Sequence, residues 1–411
     1  MTEEIRLETL DFAALIHPGD RVVWGQGGAE PTALTARLMA QREAIGSFRA
    51  FVGMSLSASV GPEHAAQVHY QSYCGAGRNR LLAREKRLDI LPCHYTQLAA
   101  ALAPVDVLLL QVAEGPGGFS FGIAAEYLVP LLRSARLVIA EVNEQAPWTH
   151  GEYLDPRDID LLVRTSSAPL EVPAAPGGEV ERAIARHIGG LVEDGATLQL
   201  GLGSLPEAAL DGLRSHRDLG IHSGAIGDKV AELMELGVIT NARKNIDRGV
   251  TVAGVLLGGE RVYRHAHRNP RIQLRSTAYT HSLAVLGSIE RLVTINSAIE
   301  VDLTGQINAE IAGGAYVGAV GGAMDFLRGA QASAGGLPII ALPATALGGR
   351  QSRVVECLSG PVSTPRADAA LIVTEYGVAD LRGCDLRERA RRMLAIAHPD
   401  FQESLARAAG L

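Results

Sequence analysis

The chain has 411 residues, 47% of them hydrophobic but only 4% aromatic, and a formal net charge of -7. That length suits two domains of about 200 residues each, and the composition suits Val, Leu, Ile and Ala packed between parallel strands and covering helices. The charge argues against the basic face of a nucleic-acid binder, no run approaches the roughly 18 apolar residues of a membrane span, and the scattered Cys74, Cys93, Cys357 and Cys384 give neither a disulfide framework nor a zinc site.

The segment Met1–Arg6 is acidic, with no apolar run behind it, so no secretory signal and a cytoplasmic location are expected. Residues 19–34 then read as a buried strand, a glycine turn at Gly25-Gln26-Gly27-Gly28 and a helix opening at Pro31. Short apolar runs at Val105–Val112 and Arg136–Val142 are expected strands. Each is followed by a segment at the carboxyl edge of a sheet, where α/β proteins bind ligands: Gly115–Gly122 and Asn143–Gly151.

Ser166–Gly178, with three prolines, two glycines and no periodicity, is the expected linker. It divides the chain into residues 1–175 and 176–411. Beyond it, Ile184, Ile188 and Leu191 put one apolar stripe on a helix. Residues 194–210 repeat the strand–GxG–helix grammar of the N-terminus, with Ser204-Leu205-Pro206-Glu207 reading as a capping box at a helix N-terminus suited to an anion. Further strands are expected at Leu198–Gly201, Val250–Leu257, Leu292–Ile295, Leu337–Leu342 and Ala370–Val373. Between them lie three more segments with chemistry-bearing residues: Leu219–Asp228, Ile295–Gln306 and Gly318–Phe326. Arg387, Arg389, Arg391 and Arg392, interrupted by Glu388, read as a solvated C-terminal helix.

From about Leu15 to Ala408 the chain resembles the acetyl-CoA hydrolase/transferase family of class I CoA-transferases. The runs NSAIEVDLTGQINAE (Asn296–Glu310), VGAVGGAMDFLRGA (Val317–Ala330), TEYGVADLRG (Thr374–Gly383) and IAHPDF (Ile396–Phe401) carry the likeness. The resemblance implies two similar, open, mostly parallel α/β domains with the active site between them. It also implies a homodimer or higher homo-oligomer, and coenzyme A or acyl-CoA as substrate with no permanently bound cofactor or metal. The chemistry implied is a ping-pong exchange, in which a glutamate carboxylate takes CoA as a glutamyl thioester and passes it to a small acid.

Gly201, Leu202, Gly203, Ser204 and Leu205 match the family's CoA turn. Ala298, Gly318, Gly321, Gly322 and Arg350 complete the implied CoA contacts, with Leu347 where the family often has lysine. The family's Gly-Ile-His-(Ser/Thr)-Glu segment stands here as Gly220-Ile221-His222-Ser223-Gly224. Glycine at the glutamate's place has no carboxylate to form the thioester, and Ala225, Ile226 and Gly227 imply a widened surrounding. His222, Ser223 and Glu300 are the remaining catalytic candidates, with Glu300 read chiefly as structural. The implied activity is therefore thioester hydrolysis or transfer to a non-carboxylate acceptor. The alternative is a catalytically silent acyl-CoA-binding protein. A sugar-phosphate isomerase is a third reading, and the basic phosphate loops it requires are not found.

Overall fold

The computed structural model describes residues 2–172, 177–201, 203–368 and 371–411. The expected division between residues 175 and 176, Leu202 of the CoA turn, and Ala370 of the last expected strand lie outside these. Two compact units are present. One takes Met1–Pro173, Ile226–Asp228 and Val252–Thr280; the other takes Ala174–Ala225, Lys229–Thr251 and His281–Leu411.

Both units are α/β with mostly parallel sheets. In the first, parallel strands run edge to edge in the order Glu3–Glu4, Leu161–Thr165, Ala135–Asn143, Val105–Gly115, Arg21–Trp24, Phe48–Phe51, Val68–Ser72 and Leu88–Ile90. Val105–Gly115 is buried along nearly its whole length, as a strand apolar on both faces must be. Trp24, Phe48, Val107, Leu109, Ile139 and Val163 share one core with Leu34 and Leu38 of the helix Thr32–Ile45. The Gly115–Gly122 segment is partly strand: Gly118–Ser120 folds back antiparallel on Val105–Gly115 and pairs with Tyr153–Leu154.

In the second unit the order is Gly220–Ile221, Thr197–Leu200, Leu292–Ser297, Leu337–Ala341, Leu371–Thr374 and Gly377–Asp380, parallel except for the last pair. The helices Leu386–Ala395 and Pro399–Ala408 close one face through Ala390, Met393 and Leu405. The C-terminal arginine helix is thus amphipathic rather than simply solvated. Arg387 and Arg391 face water, whereas the Arg389 guanidinium donates to the carbonyls of Thr304 and Arg366.

Each copy of the strand–GxG–helix unit forms, and the two end differently. In the first, Arg21–Trp24 leads through a 3-10 turn at Gly27–Ala29 into Thr32–Ile45. The fully buried Glu141 carboxylate accepts from the amides of Ala33 (3.0 Å) and Leu34 (3.2 Å), and from Thr165 (3.0 Å). A carboxylate of the chain itself therefore occupies that helix N-terminus. In the second, Thr197–Leu200 leads into Ser204–Asp211.

Ser204 does not cap that helix. Gly203, at φ +116°, is the residue before its first turn, with no side-chain cap. The left-handed turn at glycine starts the helix one residue early, so Ser204 sits inside the first turn and the expected capping box is not formed. Two smaller differences follow from local geometry. The run Val250–Leu257 splits into Thr251–Ala253 and Val255–Leu256, and Leu191 lies past the end of the helix Glu179–Gly189, whose Ile184 and Ile188 are buried as expected. Among the described residues no helix is long and apolar enough to cross a membrane, and no cluster of three or more His, Cys, Asp or Glu is placed to hold a metal.

Candidate active site

The second GxG turn sits at the carboxyl end of the strand Thr197–Leu200. Gly201 donates its amide to the Ile295 carbonyl at 2.7 Å. The Gln199 and Asn296 side-chain amides bond to each other on the adjacent strands, at 2.9 and 3.2 Å. A Cβ on Gly201 would stand 3.2 Å from the Asn296 side-chain oxygen, so little space is left beside it. Gly203 is exposed, Ser204 half-buried and Leu205 buried.

The neighbouring edge strand delivers Gly220–Gly224. Asn241 accepts from the Ile221 amide at 2.9 Å, and the buried Lys244 ammonium donates to the Ile221 carbonyl at 2.9 Å. His222 donates its amide to the Leu198 carbonyl at 3.0 Å and is fully buried. Ser223, also fully buried, accepts from the Leu200 amide at 3.2 Å. These two side chains lie inside the sheet edge, not on a surface. The chain emerges at Gly224, which is half-buried.

Along the direction a side chain at Gly224 would take, the nearest neighbour is His281. A Cβ there would stand 3.0 Å from both Cε1 and Nε2 of His281. The same ring lies 2.6 Å from where a Cβ on Gly322 would stand, and its centroid is 4.5 Å from that of Phe326. Burial, and secondarily the neighbouring His222, lower the pKa of His281 from its ordinary 6.5 to about 3. The imidazole is therefore neutral at neutral pH. His281 stands in a polar stretch far from the glycine segments in sequence, and no pattern there signals it.

Glu300 is 4% exposed, and donors surround its carboxylate. Asn308 Nδ2 (2.9 Å), Ser359 N (2.6 Å), Gly360 N (3.2 Å) and Ser359 Oγ (2.9 Å) all reach Oε1. Asp302 likewise accepts from Thr304 and Gln306 and closes a turn. The strand Glu300–Asp302 pairs with Ile307–Asn308 and Val354–Val355, whereas the neighbours nearest a Cβ on Gly224 are His281 and Phe326. Ala298 belongs to the core beneath this segment.

Glycine at position 318 answers to the chain itself: a Cβ would stand 1.9 Å from the Ala309 carbonyl oxygen. Gly321 has φ +55°, and Gly322 precedes the helix Ala323–Ala332. Arg350 and Leu347 are exposed at the tip of the hairpin between Thr345–Ala346 and Gln351–Ser352.

The first unit holds a buried polar cluster that the sequence does not announce. Gln26, the middle residue of the first GxG turn, donates to Glu126 at 2.8 Å and to Tyr95 at 2.9 Å, and accepts from Tyr73 at 2.8 Å and Met54 N at 3.0 Å. Tyr95 donates to Glu126 at 2.7 Å. Burial outweighs these bonds and raises the Glu126 carboxyl to about 7.

The model of the acetyl-CoA hydrolase/transferase C-terminal domain matches residues 258–409. The chain is 38% identical to a 4-hydroxybutyrate coenzyme A transferase of Clostridium kluyveri, over 98% of this chain and 97% of that one. Among solved structures it is similar to RipA from Yersinia pestis, at TM-score 0.93, 32% identity and coverage of 99% and 97% of the two chains. It is also similar to a 4-hydroxybutyrate CoA-transferase from Porphyromonas gingivalis, at TM-score 0.84, 31% identity and coverage of 98% and 96%. With near-complete coverage by relatives and folds of one kind, the chain belongs to the acetyl-CoA hydrolase/transferase family of enzymes.

Proposed function

We propose that this protein acts on an acyl-CoA without a glutamyl-CoA intermediate, releasing CoA to water or to a non-carboxylate acceptor. Gly224 carries the reading. It stands where the family resemblance implies the glutamate nucleophile, its own position offers no carboxylate, and Glu300 and Asp302 are held by donors of their own. In hydrolysis, water adds through oxygen to the thioester carbonyl carbon, the carbon–sulfur bond breaks, and CoA leaves as the thiol while the acyl group leaves as the acid. Backbone amides suit the oxyanion of the tetrahedral intermediate. The glycine turn at Gly201, Gly203, Ser204 and Leu205, with Leu202 and with Gly318, Gly321 and Gly322, is the proposed CoA side, and Arg350 on its hairpin the proposed phosphate contact. We take the protein to work as a homo-oligomer of chains divided near residue 175.

The test is a panel of acyl-CoAs incubated in water enriched in the heavy oxygen isotope, with and without acetate or succinate as acceptor. Free CoA, labelled acid and protein-bound CoA are followed by mass spectrometry. The expected result is CoA release that does not depend on an acceptor acid, with label in the product and no CoA adduct on the protein. Exchange that requires the acceptor acid and leaves an adduct would refute the proposal. Tight binding of acyl-CoA with no turnover would make the protein a silent binder instead.

A further inference from the structure

Gly224 and Gly322 are far apart in sequence, yet one side chain faces both. Neither glycine is required by a left-handed backbone: Gly322 has φ -93° and ψ 0°, and Gly224 is not among the positive-φ residues. What crowds a side chain at each is the His281 ring: at 2.6 Å from a Cβ on Gly322 it must shift, and at 3.0 Å from one on Gly224 it must give by a few tenths of an ångström. Ordinary contact begins at 3.4 Å.

The ring has little room to yield. His281 is 3% exposed, and Phe326, against which it packs, is 2% exposed within a core cluster with Leu286, Ile289, Leu292 and Ala330. Close-packed interiors transmit such a displacement rather than absorb it.

We propose that His281 determines what position 224 can carry: its imidazole occupies the volume into which a side chain there would project, and glycine at 224 and 322 is the condition for its presence. The functional half of this rests on the reading that Gly224 stands at the glutamate's place; the packing half does not. A neutral imidazole also brings no charge to hold a carboxylate, so a glutamate at 224 would be crowded without being ion-paired. Restoring the nucleophile therefore takes two changes, Gly224→Glu together with His281→Ala.

Two measurements separate the halves. For packing, Gly224→Ala is melted with His281 present and in the His281→Ala background, each against its own parent. We expect it to lower Tm by roughly 2–6 °C in the first and by less than about 1 °C in the second. Equal shifts in the two backgrounds overturn the proposal.

For function, Gly224→Glu and Gly224→Glu/His281→Ala are incubated with acetyl-CoA and butyryl-CoA, and the protein-bound CoA thioester is quantified by mass spectrometry. The double variant is expected to accumulate adduct at least about tenfold faster than the single one. Equal formation in both overturns the proposal. No adduct in either, with the melting result as expected, refutes the glutamate reading of position 224 and leaves the packing role of His281 standing.

Discussion

Replacing Glu126 with glutamine should remove a pH dependence from the first unit's stability. Glu126 is 2% exposed and bonded to Gln26 and Tyr95, and burial raises its carboxyl from 4.5 to about 7. A carboxyl raised on folding stabilises fully below its unfolded value, and that stability is lost as pH rises through the folded value. The window is therefore from about 4.5 to about 7. That offset corresponds to about 3 kcal/mol in total, of which roughly 2–3 kcal/mol falls between pH 5 and 8. Tyr73, Tyr95 and Tyr127 are pushed well above their ordinary range by burial and stay protonated throughout.

The assay is unit-specific. The two tryptophans of the chain, Trp24 and Trp148, both lie in Met1–Pro173, so urea unfolding followed by intrinsic fluorescence reports that unit. The urea midpoint of Glu126→Gln, relative to the native protein, should rise by about 1 M between pH 5 and pH 8. Glu30 and Glu141 are also raised by burial, but they are common to both proteins and cancel in the difference. A difference that stays flat from pH 5 to 8 would refute the reasoning, because the carboxyl would then titrate alike in the folded and unfolded chains.

Glu141→Ala should uncap the helix Thr32–Ile45 and cost about 2 kcal/mol by the same fluorescence measurement, with Glu141→Gln losing less. Gly318→Ala should cost about 3 kcal/mol or more in the second unit, since the obstacle is the backbone carbonyl of Ala309; circular-dichroism melts and limited proteolysis check this. Glu300→Ala should destabilise the second unit by about 3 kcal/mol, leaving Ser359 and Gly360 amides without their acceptor. CoA release per folded molecule should hardly change. A loss beyond about a hundredfold in folded protein would make Glu300 catalytic.

What the sequence made legible was what depends on neighbours along the chain. Val105–Val112, Arg136–Val142 and Leu337–Leu342 announced themselves as strands because burial on both faces forces an unbroken apolar run. The paired GxG units were visible because a tight strand-to-helix turn needs glycine in fixed places. Val250–Leu257 looked like one strand for the same reason, but Gly254 interrupts its pairing.

Ser204 misled because residue types suggest a cap, while the cap itself depends on the dihedral angles of Gly203. Contacts across the fold left no trace at all. Glu141 reads as one more residue in an apolar strand, yet it terminates a helix about a hundred positions earlier. His281 bears on Gly224 only through packing, and Glu126 becomes notable only once Gln26 and Tyr95 have been brought to it.

The carboxylate of Glu141 gives the first GxG copy a built-in competitor. Any outside anion approaching the amides of Ala33 and Leu34 meets an acceptor tethered to the adjoining sheet, so its local concentration is that of an intramolecular partner and no dilution removes it. The second copy has no such side-chain cap at Gly203. The two strand–GxG–helix copies thus differ at the helix they lead into: the first has its N-terminal amides taken by a carboxylate of its own chain, the second has no side-chain cap.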